Sequence, residues 1–442
     1  MGKKTENTGL GMSVKSFLTA IIVIFTLMVL TYALTFIIPG GGIPFWKWAL
    51  SPILVLGADG NVSLIAVILF LLVIGGVFNC LDKCGLMKYM LDMITDRFGK
   101  ERYKLLAIVT LFFMGMGSFI GSFEEAVPLV PIVVALSIRL GWDALVGLGM
   151  SMLAIGCGFS AGVCNPFTVG VAQEIAGLPM FSGMGFRAIA FGMVYILLLT
   201  FLSLYAKKIE KPLSEEMENN VFLQDKKMTS GLKYFVGIMC AGILVVLSSV
   251  VFPALQDYTM IIVAITFLAS GIVATKASGR AGNLWKTFYN GVMSVFPGVI
   301  MILMANSIKY TLEEGNILNT FLEGMLSVAK TLPGWSVILF IYLIVLVMNF
   351  FISSGSAKAF LLMPLIVPLA EPFGISAQLC VMAFAFGDGF SNVFYPTNPV
   401  LLIGLGLADM DYGRWVKWSW KFQAINLILS SVFLLVGLAI GY

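Results

Sequence analysis

The chain has 442 residues, of which 59% are hydrophobic and 11% charged, with a mean hydropathy of +0.99 and a formal net charge of +4. Soluble domains carry about a quarter charged residues, so this composition excludes one and requires an integral membrane protein. Histidine is absent, which removes zinc–histidine sites, Ser-His-Asp catalysis and histidine proton relays together.

Apolar runs of roughly 20 residues, the length of a membrane helix, recur from end to end, where a barrel would show short alternating segments. After a polar tail with Lys3, Lys4 and Lys15, a first span is predicted over residues 17–38, closed by Pro39-Gly-Gly-Gly. A signal peptide would have a shorter core and a small-residue cleavage site. The loop 39–62 carries Lys47, with Trp46 and Trp48 suited to the interfacial belt, and a second span covers 63–79. From Cys80 to Arg97, apolar residues at helical spacing oppose Asp82, Lys83, Lys88, Asp92 and Asp96, the pattern of an amphipathic surface helix.

Two short apolar limbs then flank the polar tip Gly121-Ser-Phe-Glu-Glu125, which predicts a re-entrant hairpin over 105–138. The segment 143–176 is interrupted by glycines and by Asn165-Pro166; proline lacks an amide proton and disfavours helix before it, so this helix breaks within the membrane. A span over 185–206 ends at Lys207-Lys208. The polar stretch 207–232 and a linking span over 233–252 divide the chain, giving halves at 1–206 and 259–442 around a linker at 207–258.

The second half repeats the first. Spans are predicted at 259–275 and 288–308, a surface helix at 310–330, a hairpin at 335–371, a broken helix at 376–408 and a last span ending at Tyr442. Pro131 and Pro364, Gly141 and Gly374, and Pro166 and Pro399 are each 233 residues apart, without a gap. With the amino terminus inside, 22 of the 27 lysines and arginines fall on the cytoplasmic side. In that topology the linking span inverts the second copy, so the hairpins open to opposite faces. The expected fold is all-α and polytopic: two inverted repeats, each with a re-entrant hairpin and a broken helix, about nine full spans in all, an architecture of secondary transporters that bind substrate at the repeat interface.

Gly-Ser-Phe-Glu-Glu-Ala-x-x-Leu-x-Pro with Cys-Asn-Pro-Phe-Thr, and Ser-Ser-Gly-Ser-Ala-Lys-Ala with Phe-Gly-Asp-Gly-Phe-Ser-Asn and Pro-Thr-Asn-Pro, resemble the YfcC-type branch of the anaerobic C4-dicarboxylate carrier (DcuC-like) family. The likeness runs from about residue 17 to 440. It implies kinship with the divalent-anion symporters, a scaffold domain, a moving elevator-type transport domain, a homodimer and the bacterial cytoplasmic membrane. The resemblance also implies either basic amino acid exchange or dicarboxylate transport.

Candidate substrate- or ion-binding residues are Ser122, Glu124 and Glu125 at the first tip, Asn165 and Thr168 at the first break, Ser353, Ser354, Ser356 and Lys358 at the second tip, and Asp388, Asn392, Thr397 and Asn398 around the second break. Ionised groups in hydrocarbon cost several kcal/mol unless paired or hydrated; Lys358, which the repeat aligns with Glu125, is an available partner. The Asn-Pro pairs either merely kink two helices or free carbonyls as ligands. Arg139 reads as a topological anchor. Three carboxylates against one lysine are awkward for a bare dianion, which favours an amino acid over a C4-dicarboxylate as the small-molecule solute. Sodium could use the oxygens at the breaks, protons the glutamates, and exchange would need neither. No cofactor, metal beyond sodium, catalytic group or nucleic-acid partner is expected. An ion channel is the alternative of another class.

Overall fold

The computed structural model describes residues 14–37, 42–58, 62–98, 101–121, 123, 127, 129–212, 225–248, 259–280 and 282–442. No strand occurs among them, as a bilayer requires of segments that must satisfy their own backbone groups.

The first group of elements is α1 (Val14–Thr35), α2 (Val62–Lys83), α3 (Leu86–Phe98) and α4 (Arg102–Gly115), the last continued by a π-helical turn (Met116–Ile120). After α5 (Val130–Arg139), α6 (Ala144–Leu148) passes through a second π turn (Gly149–Leu153) into α7 (Ala154–Ser160). Five non-helical residues follow, and the helix resumes as a third π turn (Pro166–Gly170) and α8 (Val171–Ile175). Next come α9 (Met184–Ile209), α10 (Lys226–Ser248), α11 (Thr259–Ala277), α12 (Leu284–Glu314) and α13 (Ile317–Ala329). The chain ends with α14 (Gly334–Phe351), α15 (Gly355–Ala370), α16 (Ala377–Asn392), α17 (Pro399–Leu407) and α18 (Tyr412–Ile440).

The amphipathic helix differs from the sequence expectation. α2 runs on to Lys83 rather than stopping at Asn79, and the chain bends by 76° into α3. Gly85, at φ +79°, makes that corner, since the left-handed region costs glycine no Cβ clash. In the second half α12 likewise runs on to Glu314 before the equivalent helix begins at Ile317. Three hairpin limbs are also longer than expected. Arg102–Phe119, Gly334–Phe351 and Gly355–Phe373 each have the length and apolar composition to cross a membrane, because about 18 residues at 1.5 Å each reach about 27 Å. Among the described residues six helices meet that standard, or seven if the bent pair α2–α3 is one span.

The breaks lie where the Asn-Pro pairs place them. Asp143 caps α6, accepting from the amides of Leu145 and Val146 at 3.0 and 3.2 Å; Ser376 caps α16 through the Leu379 amide at 3.1 Å. α6 and α16 begin at Ala144 and Ala377, and their continuations begin at Pro166 and Pro399, so the offset of the motifs is also the offset of the two broken helices.

Two packed groups result. α2 lies against α11 and α12, with α1 on α12 and α10 on α11. In the other group α16 packs on both α14 and α7, α7 on α4, and α15 on α8 and α16. Each group draws on both halves of the sequence. All six cysteines are free, and Cys80, Cys84, Cys157 and Cys380 are buried as small packing residues.

Candidate functional site

The second group encloses a polar centre in an otherwise apolar interior. α14 is almost wholly hydrophobic until its last turn, where Asn349, 2% exposed, lies three residues before the tip at Ile352–Ser354. Across the tip, the first turn of α15 carries Lys358, fully buried. Its ammonium meets Asp388 Oδ1 of α16 at 2.5 Å, the carbonyl of Ile352 at 2.9 Å and Asn349 Oδ1. The three N–H donors of an ammonium thus have three oxygen acceptors. Asn349 turns its amide nitrogen toward the carbonyl of Asp388 (2.8 Å), Ser391 Oγ (2.6 Å) and Asn392 Oδ1 (3.0 Å).

The network continues into the second break. Asn398 donates to Asn392 Oδ1 at 2.9 Å, and its own Oδ1 caps α17 through the amides of Val400 and Leu401 at 2.9 and 3.3 Å. Asn398 therefore starts the resumed helix and ties it to the end of the interrupted one. At the first break Asn165, also buried, does similar work, accepting from the Thr168 amide at 3.2 Å and reaching the Gly117 carbonyl at 3.4 Å.

Two glycines let the breaks approach each other. A Cβ at Gly355 would stand 2.6 Å from Thr168 Cγ2 and 2.7 Å from Asp388 Oδ2, and one at Gly389 would run into Ser160. Thr168 and Ser160 of the first half thus sit against the tip and broken helix of the second. Here several buried polar atoms have no hydrogen-bond partner among the described residues: Asp388 Oδ2, Thr168 Oγ1, Ser160 Oγ and Thr397 Oγ1. Unmet polar atoms are costly in a dry interior, and this set comprises one carboxylate oxygen and three hydroxyls, all acceptors for a cation or an N–H.

Of the sequence candidates, Lys358, Asp388, Asn392 and Asn398 form this one network, and Thr168 abuts it. Thr397 is buried at the second break. Ser353 and Ser356 are half-buried, while Ser354 is exposed and caps α15 through the Ala357 amide at 3.5 Å. Ser122, Glu124 and Glu125 lie outside the described residues. Lys358, an available partner for Glu125 by the repeat alignment, pairs with Asp388 among the described residues, and its three donors are engaged there.

Arg139, read as an anchor, forms an ion pair with the buried Asp92 of α3 and so joins α5 to that helix. Three functional candidates went unseen in the sequence. Asn349 was marked only by being a lone amide in an apolar run. Ser160 had no signal beyond its place before the break. Arg187, in the first turn of α9, is 2% exposed. It donates to the carbonyls of Val163 (3.0 and 3.2 Å), Ser182 (2.9 Å) and Phe181 (3.4 Å), and to the hydroxyl of Tyr442 (3.1 Å). Its five N–H groups are all engaged, two of them on the unwound Val163 and three on the loop before α9 and the chain's last residue, rather than waiting for a ligand.

A fully buried ion pair at the meeting point of two interrupted helices is the kind of feature that marks a membrane carrier, and comparison of sequences agrees. The profile of the DcuC family, described as the C4-dicarboxylate anaerobic carrier, matches residues 50–439. The chain belongs to the DcuC family. This DcuC chain is accordingly a multi-pass membrane transporter. It is 31% identical over 400 residues, 86% of this chain and 78% of the other, to YfcC of Escherichia coli (strain K12), provisionally named a basic amino acid antiporter. It is 26% identical over 397 residues, 86% and 77% of the two chains, to an uncharacterised protein of Haemophilus influenzae. Two solved transporters resemble it more distantly. They are Alcanivorax borkumensis YdaH (17% identity, TM-score 0.49, covering 96% of this chain and 99% of that one) and Neisseria gonorrhoeae MtrF (14%, 0.44, 94% of each).

Proposed function

We propose that this carrier is a secondary active transporter of a small amino acid, basic or zwitterionic, working by exchange. The observation that carries the reading is the disposition of charge at the breaks. Lys358 is fully engaged by Asp388, Asn349 and Ile352, and Arg187 by backbone carbonyls and Tyr442. Neither cation has a donor left for the two carboxylates of a C4-dicarboxylate. Asp388 Oδ2 and the hydroxyls of Thr168, Ser160 and Thr397 remain as acceptors, which suits an ammonium group. Glu124 and Glu125 are assigned to the same task from the first tip.

The offset of 233 residues between the two broken helices supports two inverted repeats. The two packed groups support a division of labour, with the α2–α11–α12 group as a dimerising scaffold and the group holding the breaks as the part that moves. Lysine and arginine distribution supports a cytoplasmic amino terminus, and kinship with a bacterial relative supports a bacterial cytoplasmic membrane.

The test is counterflow in proteoliposomes holding the purified protein. Labelled arginine, ornithine or another amino acid should exchange, and Glu124→Gln should slow that exchange at least about tenfold if the removed charge is worth about 1.4 kcal/mol or more in the transition state. Exchange of succinate or fumarate without any amino acid would replace this reading with the dicarboxylate one, which the family's own description favours.

A further inference from the structure

We infer that the ammonium of Lys358 is a tethered cation occupying an oxygen-lined site that would otherwise take a sodium ion, so that this locus works without sodium. The inference deepens the transport reading above and rests on it for its significance, though not for its test.

The ammonium is held as a small cation would be. Its three partners are a carboxylate oxygen, an amide oxygen and a backbone carbonyl, contributed by α16, the last turn of α14 and the tip that follows it. Oxygens of these three kinds are the usual ligands of hard cations, and unwound carbonyls beside half-helix C-terminal ends are where carriers coordinate sodium. The Ile352 carbonyl is such a group, at the C-cap of α14. Helix polarity favours a cation there and disfavours one in the first turn of α15, where Lys358 is attached. The side chain therefore reaches out of its own unfavourable helix end into the oxygens of its neighbours. Bulk water does not reach the pair, because Lys358 and Asp388 are both fully buried.

Removing the lysine side chain leaves three inward-facing oxygens and a buried carboxylate without counter-charge. A monovalent cation restores both the charge balance and the coordination. The covalent tether explains how the site keeps a positive charge at every sodium concentration. Asp388 Oδ2, on the other side of the carboxylate and against Gly355, is left for the transported solute.

The experiment is thermal unfolding of the purified full-length protein in sodium chloride against choline chloride at equal ionic strength. The unmodified protein should show the same midpoint in both salts. Lys358→Ala should gain about 1–2 °C on addition of 100 mM sodium, the size produced for a chain of this length when a ligand of the folded state is in about tenfold excess over its Kd. Lys358→Ala/Asp388→Asn should lose that gain. Lys358→Gln, which keeps the bulk of the side chain, serves if the alanine variant unfolds. A sodium-specific shift in the unmodified protein overturns the inference. So does a folded Lys358→Ala variant indifferent to sodium, or failure of sodium to rescue either variant. Because no solute enters the assay, a failed amino acid exchange leaves this result standing, and the reverse.

Discussion

Asp388 shows how much one residue can hold in place at the centre of a membrane domain. It shares one oxygen with Lys358 and holds the other against Gly355 of the second tip, while its backbone carbonyl accepts from Asn349. Removing one partner of a buried ion pair strands the other charge and costs about 3–5 kcal/mol, whereas replacing both with apolar groups of similar volume is often neutral. Asp388→Ala should therefore lower stability by that amount, and Lys358→Met/Asp388→Leu should recover most of it while remaining inactive in exchange; chemical unfolding monitored by tryptophan fluorescence measures the first, counterflow the second. Ionisable residues in an apolar segment stand out in a sequence, so both members of the pair were legible. Their pairing was not. The repeat aligned Lys358 with Glu125, but alignment relates equivalent positions in two copies and says nothing about which side chains meet when the copies pack.

At the level of elements, caps and breakers dictated most of the local structure. Asp143, Ser376 and Asn398 start helices where their side chains can take up free amides, and the Asn-Pro pairs interrupt two of them. The elements also meet at a distance that only glycine permits. Gly355→Ala places a methyl group 2.6 Å from Thr168 Cγ2 and 2.7 Å from Asp388 Oδ2, so the tip and the broken helices must move apart. Overpacking of this kind costs about 1–3 kcal/mol. Transport should suffer more than stability, since the displaced carboxylate is the proposed solute ligand; a counterflow rate reduced far below the loss of folded protein in unfolding curves is the expected result. The motif placed Gly355 at the second tip, but its need to be glycine was not legible, because the atoms it must accommodate are far away along the chain.

For the molecule as a whole, the lysine and arginine pattern makes a prediction that labelling can check. In right-side-out membrane vesicles, a cysteine replacing Lys330 should react with an impermeant maleimide from outside. One replacing Arg280 should react only after the vesicles are opened. The opposite result would reverse the topology and with it the faces to which the two hairpins open.

Composition and hydrophobic run length by themselves determined an all-helical membrane protein with two interrupted helices, because a bilayer leaves the backbone few alternatives and proline and asparagine act on their own neighbours. Tertiary structure alone decided the rest: that Asn349 holds Lys358, Asn392 and Asp388 together, that Arg187 is buried against the first break, and that Thr168 faces the second tip. Those contacts join residues from different helices and, in Thr168's case, from opposite halves of the chain. Local pattern carries no record of such contacts. The two stretches of polar sequence marked where a site would be, and packing decided which charges in it were already spoken for.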